Sequence, residues 1–168
     1  MLNSVIVVDD EASIRTAVEQ WLSLSGFSVQ LFARAEECLA HLPQHFPGVI
    51  ISDVRMPGMD GLQLLERLQA NDPDLPVILL TGHGDVPMAV EAMRSGAYDF
   101  LEKPFTPQDL LGSLRRALEK RQLVLENRRL HEQADLKSRL EVTLLGMSQG
   151  LQQLRRQVLD LASLPVNV

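Results

Sequence analysis

Five short runs of apolar residues recur along the first two thirds of the chain, and segments with helical spacing separate them. The runs are Ser4–Val8, Ser28–Phe32, Val49–Ser52, Val77–Leu80 and Tyr98–Leu101. The first, third and fourth are nearly continuous in Val, Ile and Leu, which is typical of strands covered on both faces. Between the runs, apolar residues return every three or four positions, as in Ile14, Val18 and Leu22, and this spacing predicts helices. Gly26 and Gly96 follow two such stripes, where a glycine commonly ends a helix. The alternation predicts a parallel α/β sheet with right-handed crossovers.

The pattern changes after the fifth run. Thr106 is a typical N-cap residue, Pro107 suits the first helical position, and Asp109 stands three residues past the cap. Neither Gly nor Pro occurs between residues 113 and 145. A helix over residues 107 to about 140 is therefore predicted, with a length of roughly 50 Å at 1.5 Å per residue. Its second half is expected to project from a domain of this size.

Gly146 is expected to interrupt this helix, and a short amphipathic stretch, Leu151 to Leu164, follows it. The chain then ends in the sequence PVNV, where no further element is predicted.

The distal part of the predicted helix carries a short heptad pattern. Leu123, Asn127, Leu130 and Ala134 keep a four-then-three spacing, which is typical of the d and a positions of a two-stranded coiled coil. Asn127 would occupy an a position, where asparagine favours register over strength. Lys137 breaks the pattern. Two interpretations stay open: a dimerising coil, or a solvated helix that packs elsewhere.

Composition places the chain among ordinary globular proteins, with 45% hydrophobic and 23% charged residues in a total of 168. That length allows one sizeable core with an appendage. No apolar stretch approaches 18 residues, so no membrane span is expected. The lone Cys38 excludes an internal disulfide and fits a reducing compartment, and we expect a cytoplasmic protein with a buried, unreactive thiol.

Charge is unevenly distributed along the chain. Residues 1–104 contain 15 acidic and 6 basic residues, whereas residues 105–168 contain 7 acidic and 10 basic ones. The acidic part should repel nucleic acid and suit a cation. The mildly basic part is interpreted as a solvated helix face rather than as a DNA contact.

Chemically reactive side chains stand at the carboxyl ends of the predicted strands. Asp9 and Asp10 follow the first run, Asp53 ends the third, Thr81 ends the fourth, and Lys103 follows the fifth. A single acid after a strand is commonly a helix cap or a turn residue. In an open parallel sheet, however, ligands bind beyond the carboxyl ends of the strands, where the strand order reverses. Five such residues at matching strand ends therefore predict one site.

Three crowded carboxylates raise one another's pKa, and a cation is needed to neutralise them. Hard oxygen ligands without a neighbouring His or Cys suit Mg²⁺. Beside the cation, Asp53 is expected to point outwards as a nucleophile that attacks phosphorus and becomes an aspartyl phosphate. Lys103 would supply positive charge to the phosphoryl oxygens, and Thr81 would offer a hydroxyl donor.

The segments VVDDE, DVRMPGMDG, LLTGHGD and YDFLEKPF resemble the four signature blocks of bacterial response regulator receiver domains, across residues 4 to about 120. The resemblance implies a flavodoxin-like (βα)5 doubly wound sheet with strand order 2-1-3-4-5. It implies that Asp53 is the phosphoacceptor, that Asp10 binds Mg²⁺ directly with Asp9 assisting, and that the backbone carbonyl of Arg55 completes the metal site.

The same resemblance assigns roles around the phosphoryl group. Thr81 and Lys103 hold its oxygens, and a cis peptide joins Lys103 to Pro104. Phe100 takes the aromatic switch position and swings inwards when Thr81 moves toward the phosphoryl group. The alternative for Phe100 is a simple core aromatic residue.

Two further residues are predicted to tune the lifetime of the phosphoryl group. Arg55 and His83 lie two positions after Asp53 and Thr81 respectively, where receiver domains vary. For His83, an exposed loop residue without a role is the alternative.

The segments LPVILLTGHGDVPMAVEAMRSGAYDFLEKPF and KRQLVLENRRL resemble regulators of the NtrC/DctD type. In these, a receiver domain and a helical linker precede an AAA+ ATPase domain, which works with sigma-54 RNA polymerase, and a DNA-binding helix-turn-helix. The resemblance implies a receiver domain over 1–120, a helical dimerisation linker over 121–142 and the beginning of the ATPase domain over 143–168. No GxxxxGK[ST] motif is present, so ATP binding by that motif is not expected.

The resemblance also implies a set of partners. They are a sensor histidine kinase, a second copy of the chain and the AAA+ domain of the same protein, while sigma-54 RNA polymerase and DNA are reached only through domains absent from this sequence. The chain is expected to be a regulatory phosphoacceptor rather than an enzyme. Control of dicarboxylate transport genes is predicted, with regulation of acidic amino-acid uptake as the alternative.

Two other function classes fit the sequence less well. A constitutive dimerisation module with a vestigial acidic pocket would not need the complete set of five residues. A phosphatase of the haloacid-dehalogenase type carries a second acid two residues after its nucleophile, and Arg55 stands there in this sequence.

Overall fold

The computed structural model describes residues 3–162, which form five strands and five helices in strict alternation. The strands are β1 (Ser4–Val8), β2 (Ser28–Phe32), β3 (Val49–Asp53), β4 (Val77–Thr81) and β5 (Asp99–Glu102), and the helices are α1 (Ala12–Leu24), α2 (Ala35–His41), α3 (Gly61–Asn71), α4 (Val86–Arg94) and α5 (Pro107–Ala162). All strand pairs are parallel, and the sheet order is β2-β1-β3-β4-β5. The predicted flavodoxin-like architecture is confirmed.

The strand register determines which residues meet at the carboxyl edge of the sheet. β1 pairs with both β2 and β3, so the strand order reverses at β1. Val8 is the partner of Ser52, and Asp53 is the partner of Leu80. The residue after β1 and the last residues of β3 and β4 therefore lie on adjacent strands, at the switch point where open sheets bind ligands.

Two apolar clusters enclose the sheet. One face is covered by α2, α3 and α4, which contribute Ala35, Cys38, Leu64, Leu65, Leu68 and Ala92. The other face is covered by α1 and by the first turns of α5, which contribute Val18, Leu22, Leu110, Leu114, Ala117 and Leu118. Burial raises the pKa of the Cys38 thiol to about 12, which agrees with the predicted unreactive thiol.

The predicted helix ends are well reproduced where local hydrogen bonds define them. The Asp109 amide donates to Thr106 Oγ1 at 3.1 Å, and Asp109 Oδ2 accepts from the Thr106 amide at 3.3 Å, as a capping box requires. Gly26 and Gly96 have φ angles of +87° and +99°, the left-handed conformation of a helix C-terminus.

Three strands and one helix differ in extent from the predicted ones. β3 and β4 each extend by one residue, so that Asp53 and Thr81 belong to the strands, and β5 begins one residue later than predicted and ends at Glu102. The prediction that Gly146 interrupts the helix was wrong, because α5 continues through this residue to Ala162. One glycine costs only about 1 kcal/mol relative to alanine in a helix, and the flanking Leu, Met and Gln residues are good helix formers. The last two residues of the predicted stretch Leu151 to Leu164 lie outside the described residues.

The chain divides into two units after Leu125. The first unit contains the sheet, helices α1 to α4 and the beginning of α5. The second contains the remainder of α5, in which every described side chain from 129 to 161 is exposed. Of the coil positions, Leu123 and Leu130 are exposed by 67% and 51%. In the described part of the chain, no helix is apolar enough over a sufficient length to cross a membrane.

Candidate functional site: an acidic pocket with one lysine

Three carboxylates converge at the switch point of the sheet. Asp9, Asp10 and Asp53 each offer an oxygen atom, and these atoms all lie within 4.8 Å of one another. Asp9 follows β1 and is fully buried, Asp10 beside it is exposed, and Asp53 ends β3. The parallel register explains the convergence, because β1 and β3 are hydrogen-bonded neighbours.

Asp53 is more recessed than predicted. The residue is 6% exposed and its side chain 8%, so the carboxylate is less accessible to solvent than an outward-pointing Asp53 would suggest. The start of α3 comes very close to its backbone. The Gly61 amide donates to the Val54 carbonyl at 2.8 Å, and a Cβ atom at position 61 would overlap the Asp53 carbonyl oxygen. Only glycine permits this approach.

Lys103 lies between the two buried carboxylates. Its Nζ atom is 3.4 Å from Asp9 Oδ2 and 3.4 Å from Asp53 Oδ1. Lys103 follows β5, and its amide donates to the Thr81 carbonyl at 2.8 Å. The peptide between Lys103 and Pro104 is cis, as the family resemblance implied.

Burial governs the electrostatics of the pocket. It raises the pKa of Asp9 to about 6, with a further increase from Asp53, while the hydrogen bond from the Glu11 amide and the charge of Lys103 oppose the rise. The pKa of Asp53 is also raised, mainly by burial and in part by Asp10, against the lowering effect of Lys103. The single positive charge of Lys103 therefore does not balance the negative charge of the three carboxylates. The pocket favours binding of a further cation.

Thr81 is 1% exposed, and its hydroxyl donates to the Leu101 carbonyl on β5 at 3.4 Å. Phe100, one residue earlier on β5, is 38% exposed. This exposure excludes the alternative that Phe100 is a simple core aromatic residue.

A sequence profile of the response regulator receiver domain matches residues 5–115. The chain belongs to the response regulator receiver family. It is 50% identical over 165 residues to the C4-dicarboxylate transport transcriptional regulatory protein DctD of Rhizobium meliloti, covering 98% of this chain and 36% of that protein. The protein of the same name from Pseudomonas aeruginosa is 51% identical over 164 residues, with the same two shares.

Solved structures agree with this assignment. The crystal structure of NtrX from Brucella abortus aligns with a TM-score of 0.70 and 39% identity, covering 77% of this chain and 30% of that one. The structure of response regulator StyR aligns with a TM-score of 0.73 and 36% identity, over 96% of this chain and 83% of the other. The chain spans 36% of the length of the two DctD relatives.

Receiver domains bind Mg²⁺ at an acidic pocket, and the donor set of this receiver fits that ion. Carboxylate oxygens are the hard ligands that Mg²⁺ prefers, and Asp10 leaves the pocket open to the waters that this ion retains. Asp9, Asp10 and Asp53 would hold the ion, and its charge would neutralise the pocket and the phosphoryl oxygens. The carbonyl of Arg55 as an additional ligand stays a prediction.

The two predicted tuning residues of this receiver lie on loops beside the pocket. Arg55 is on the segment after β3, and its Nη2 atom is 2.9 Å from Asp85 Oδ2. His83 is on the segment after β4, and its Nδ1 atom is 3.3 Å from Glu102 Oε1. Both side chains are largely exposed, by 74% and 88%.

Sequence reasoning did not identify Asp85 and Glu102 as the partners of the two predicted tuning residues of this receiver. Asp85 pairs with Arg55, and Glu102 Oε1 also accepts from the Gly84 amide at 2.7 Å. Glu102 directly precedes Lys103, and Asp85 lies four residues after Thr81, so proximity to predicted site residues was the available signal.

Proposed function

We propose that Asp53 is the phosphoacceptor of a two-component response regulator and that its phosphorylation by a sensor histidine kinase controls a downstream transcription activity. The observation that supports this most directly is the position of the Asp53 carboxylate, beside two other aspartates and 3.4 Å from Lys103 Nζ, in a chain of the receiver family.

The transfer requires little covalent chemistry from the chain. An oxygen of ionised Asp53 attacks phosphorus while the bond from phosphorus to the donor breaks, and the donor leaves with that electron pair. Mg²⁺ bound at the aspartates would offset the charge of the phosphoryl oxygens. Lys103, which contacts Asp9 and Asp53, would exchange part of that contact for a phosphoryl oxygen. In dephosphorylation, water attacks phosphorus while the bond from phosphorus to the Asp53 oxygen breaks, so inorganic phosphate leaves and the carboxylate is restored.

The readout would be a two-state rearrangement of Thr81 and Phe100. The Thr81 hydroxyl, which donates to Leu101, would turn to a phosphoryl oxygen, and the half-exposed Phe100 ring would move into the space left behind. The change would reach the surface formed by α4, β5 and the beginning of α5. The coil residues Leu123, Asn127 and Leu130 would then set how two copies pair.

The genes under control are part of the same proposal. The DctD relatives are described as C4-dicarboxylate transport regulators, and the alignments with them include the predicted linker and cover 98% of this chain. We propose a cytoplasmic regulator of dicarboxylate transport genes, in which phosphorylation relieves a restraint on an AAA+ domain that acts with sigma-54 RNA polymerase. Dicarboxylate control is favoured over acidic amino-acid uptake by the names of these relatives alone.

Labelling with a small phosphoryl donor tests the central step. Incubation with acetyl phosphate and Mg²⁺ should add one acid-labile phosphoryl group, which intact-mass spectrometry detects. Asp53→Asn should abolish it, whereas Asp135→Asn, an exposed aspartate on α5, should retain it. Undiminished labelling of Asp53→Asn would refute the assignment.

Magnesium titration separates this function from a vestigial pocket. A working pocket should gain unfolding free energy from Mg²⁺, by about 1.4 kcal/mol at ten times the dissociation constant. A vestigial pocket should gain nothing.

A further inference from the structure

The β4–α4 loop, residues 82–85, is fastened to β5 on one side. Glu102 Oε1 accepts a hydrogen bond from the Gly84 amide at 2.7 Å. The same oxygen lies 3.3 Å from His83 Nδ1. One carboxylate at the end of β5 therefore holds two consecutive loop residues.

The loop is fastened to the β3 side as well. Asp85 Oδ2 lies 2.9 Å from Arg55 Nη2, which comes from the segment after Asp53. Asp85 is the N-cap residue of α4, yet its side chain makes no capping hydrogen bond, so its carboxylate faces Arg55 instead. The Asp85 side chain is 16% exposed and the Arg55 side chain is 74% exposed, so the contact is only partly shielded from solvent.

We infer that Glu102 and Asp85 are positioning residues that latch the β4–α4 loop, and with it Thr81, in the arrangement adopted without a phosphoryl group. The inference rests on the proposed function. Thr81 is the last residue before the loop, and its hydroxyl donates to the Leu101 carbonyl. We expect the chain after Thr81 to move when this hydroxyl turns to a phosphoryl oxygen on Asp53, and both ties would resist that movement.

A latch and a merely structural contact predict opposite changes in ligand affinity when the contact is removed. Loss of a structural contact weakens ligand binding, whereas loss of a latch favours the arrangement that binds the phosphoryl group and tightens binding. Since both ties are partly exposed, each is expected to change the affinity by roughly threefold.

Beryllofluoride, a non-hydrolysable phosphoryl mimic, measures this directly in the 168-residue chain with saturating Mg²⁺. Glu102→Ala should lower its dissociation constant by about threefold, and Asp85→Ala should do the same. The double variant should reach roughly tenfold if the two ties act independently. Fluorescence of Trp21, the single tryptophan, or calorimetry provides the signal.

Glu102→Gln is the matched control for charge. The glutamine side-chain oxygen can still accept a hydrogen bond from the Gly84 amide. The affinity of this variant for beryllofluoride should therefore stay near that of the wild type. Equal tightening by Glu102→Gln and Glu102→Ala would mean that only the negative charge beside Lys103 matters, and would overturn the latch. Glu91→Ala, which removes an exposed acid on α4, should leave the affinity unchanged.

The outcomes also separate the latch from the function on which it rests. Failure of the wild type to bind beryllofluoride with Mg²⁺ would contradict the phosphoacceptor function itself. Wild-type binding with unchanged or weakened affinity in both Glu102→Ala and Asp85→Ala would contradict the latch alone. Mg²⁺ affinity without beryllofluoride should be the same in all variants that bind more tightly.

Discussion

Arg121 and Asp72 form an ion pair at 2.7 Å that joins helices from opposite faces of the sheet. Arg121 lies on α5 and is fully buried, and Asp72 is the C-cap residue of α3. The guanidinium also donates from Nε and Nη2 to the Phe46 carbonyl, at 3.1 and 2.8 Å. Phe46 precedes β3 and Asp72 precedes β4, so the arginine ties the layers together at the amino edge of the sheet, away from the acidic pocket.

Replacement of Arg121 should be strongly destabilising. Arg121→Met should lower the unfolding free energy by about 3 kcal/mol, because it removes a buried ion pair with Asp72 and both hydrogen bonds to the Phe46 carbonyl. Urea unfolding followed by circular dichroism measures this. Arg116→Met is the matched control, since Arg116 is 64% exposed and 3.9 Å from Asp99, and it should change the unfolding free energy by less than about 0.5 kcal/mol. Equal effects of the two substitutions would contradict the anchoring role.

Nothing in the sequence marked Arg121 as buried. It stands beside Lys120 on a helix with regular charged positions, where arginine is ordinarily exposed. One of its acceptors is a backbone carbonyl 75 residues away, and only the folded chain brings such partners together. The Glu102 contact with the Gly84 amide was missed for the same reason.

The acidic pocket, in contrast, could be located from the sequence. Continuous Val and Ile runs predicted buried parallel strands, and parallel strands place their carboxyl ends at one edge. The positions of Asp9, Asp53 and Thr81 follow from that rule. The burial of these side chains could not be predicted in the same way, because the depth of the pocket depends on how closely α3 packs at Gly61.

The buried Asp9 should make the stability of the Mg²⁺-free protein depend on pH. Its pKa rises from an ordinary 3.8 to about 6 on folding, so the folded state binds more protons between these values. The contribution of protonated Asp9 to the unfolding free energy is present in full below about pH 4 and is lost as the pH rises through about 6. The difference in unfolding free energy between wild type and Asp9→Asn should fall over that range by on the order of 2 kcal/mol. Urea titrations in chelator measure it, and a flat difference would show that Asp9 titrates normally.

Arg55 should lengthen the lifetime of the aspartyl phosphate. Its side chain reaches from the segment after β3 to Asp85, and therefore crosses the gap between two loops beside Asp53. Without it, water should approach phosphorus more easily, so Arg55→Ala should shorten the half-life by on the order of threefold. His83→Ala should also alter the half-life, because His83 lies beside Glu102 next to Lys103. The decay of labelled protein after removal of acetyl phosphate gives the half-lives, and unaltered values would rule out tuning by that residue.

The exposed positions of α5 lead to a prediction about pairing of two chains. Leu123 and Leu130 expose 67% and 51% of their surface, and Asn127 is exposed between them, as expected for a seam that a second helix covers. Leu130→Ala should weaken dimerisation by about tenfold, because it removes buried apolar surface from both helices. Asn127→Leu should strengthen association while loosening its register, since a buried asparagine specifies pairing at a cost in stability.

Sedimentation equilibrium measures both changes in the 168-residue chain. Glu132→Ala, an exposed substitution on the same helix outside the heptad positions, should leave the dissociation constant unchanged. If wild type is monomeric at all accessible concentrations, or if Leu130→Ala and Glu132→Ala behave alike, the dimerising coil is contradicted, and the second interpretation of this segment, a solvated helix that packs elsewhere, is favoured.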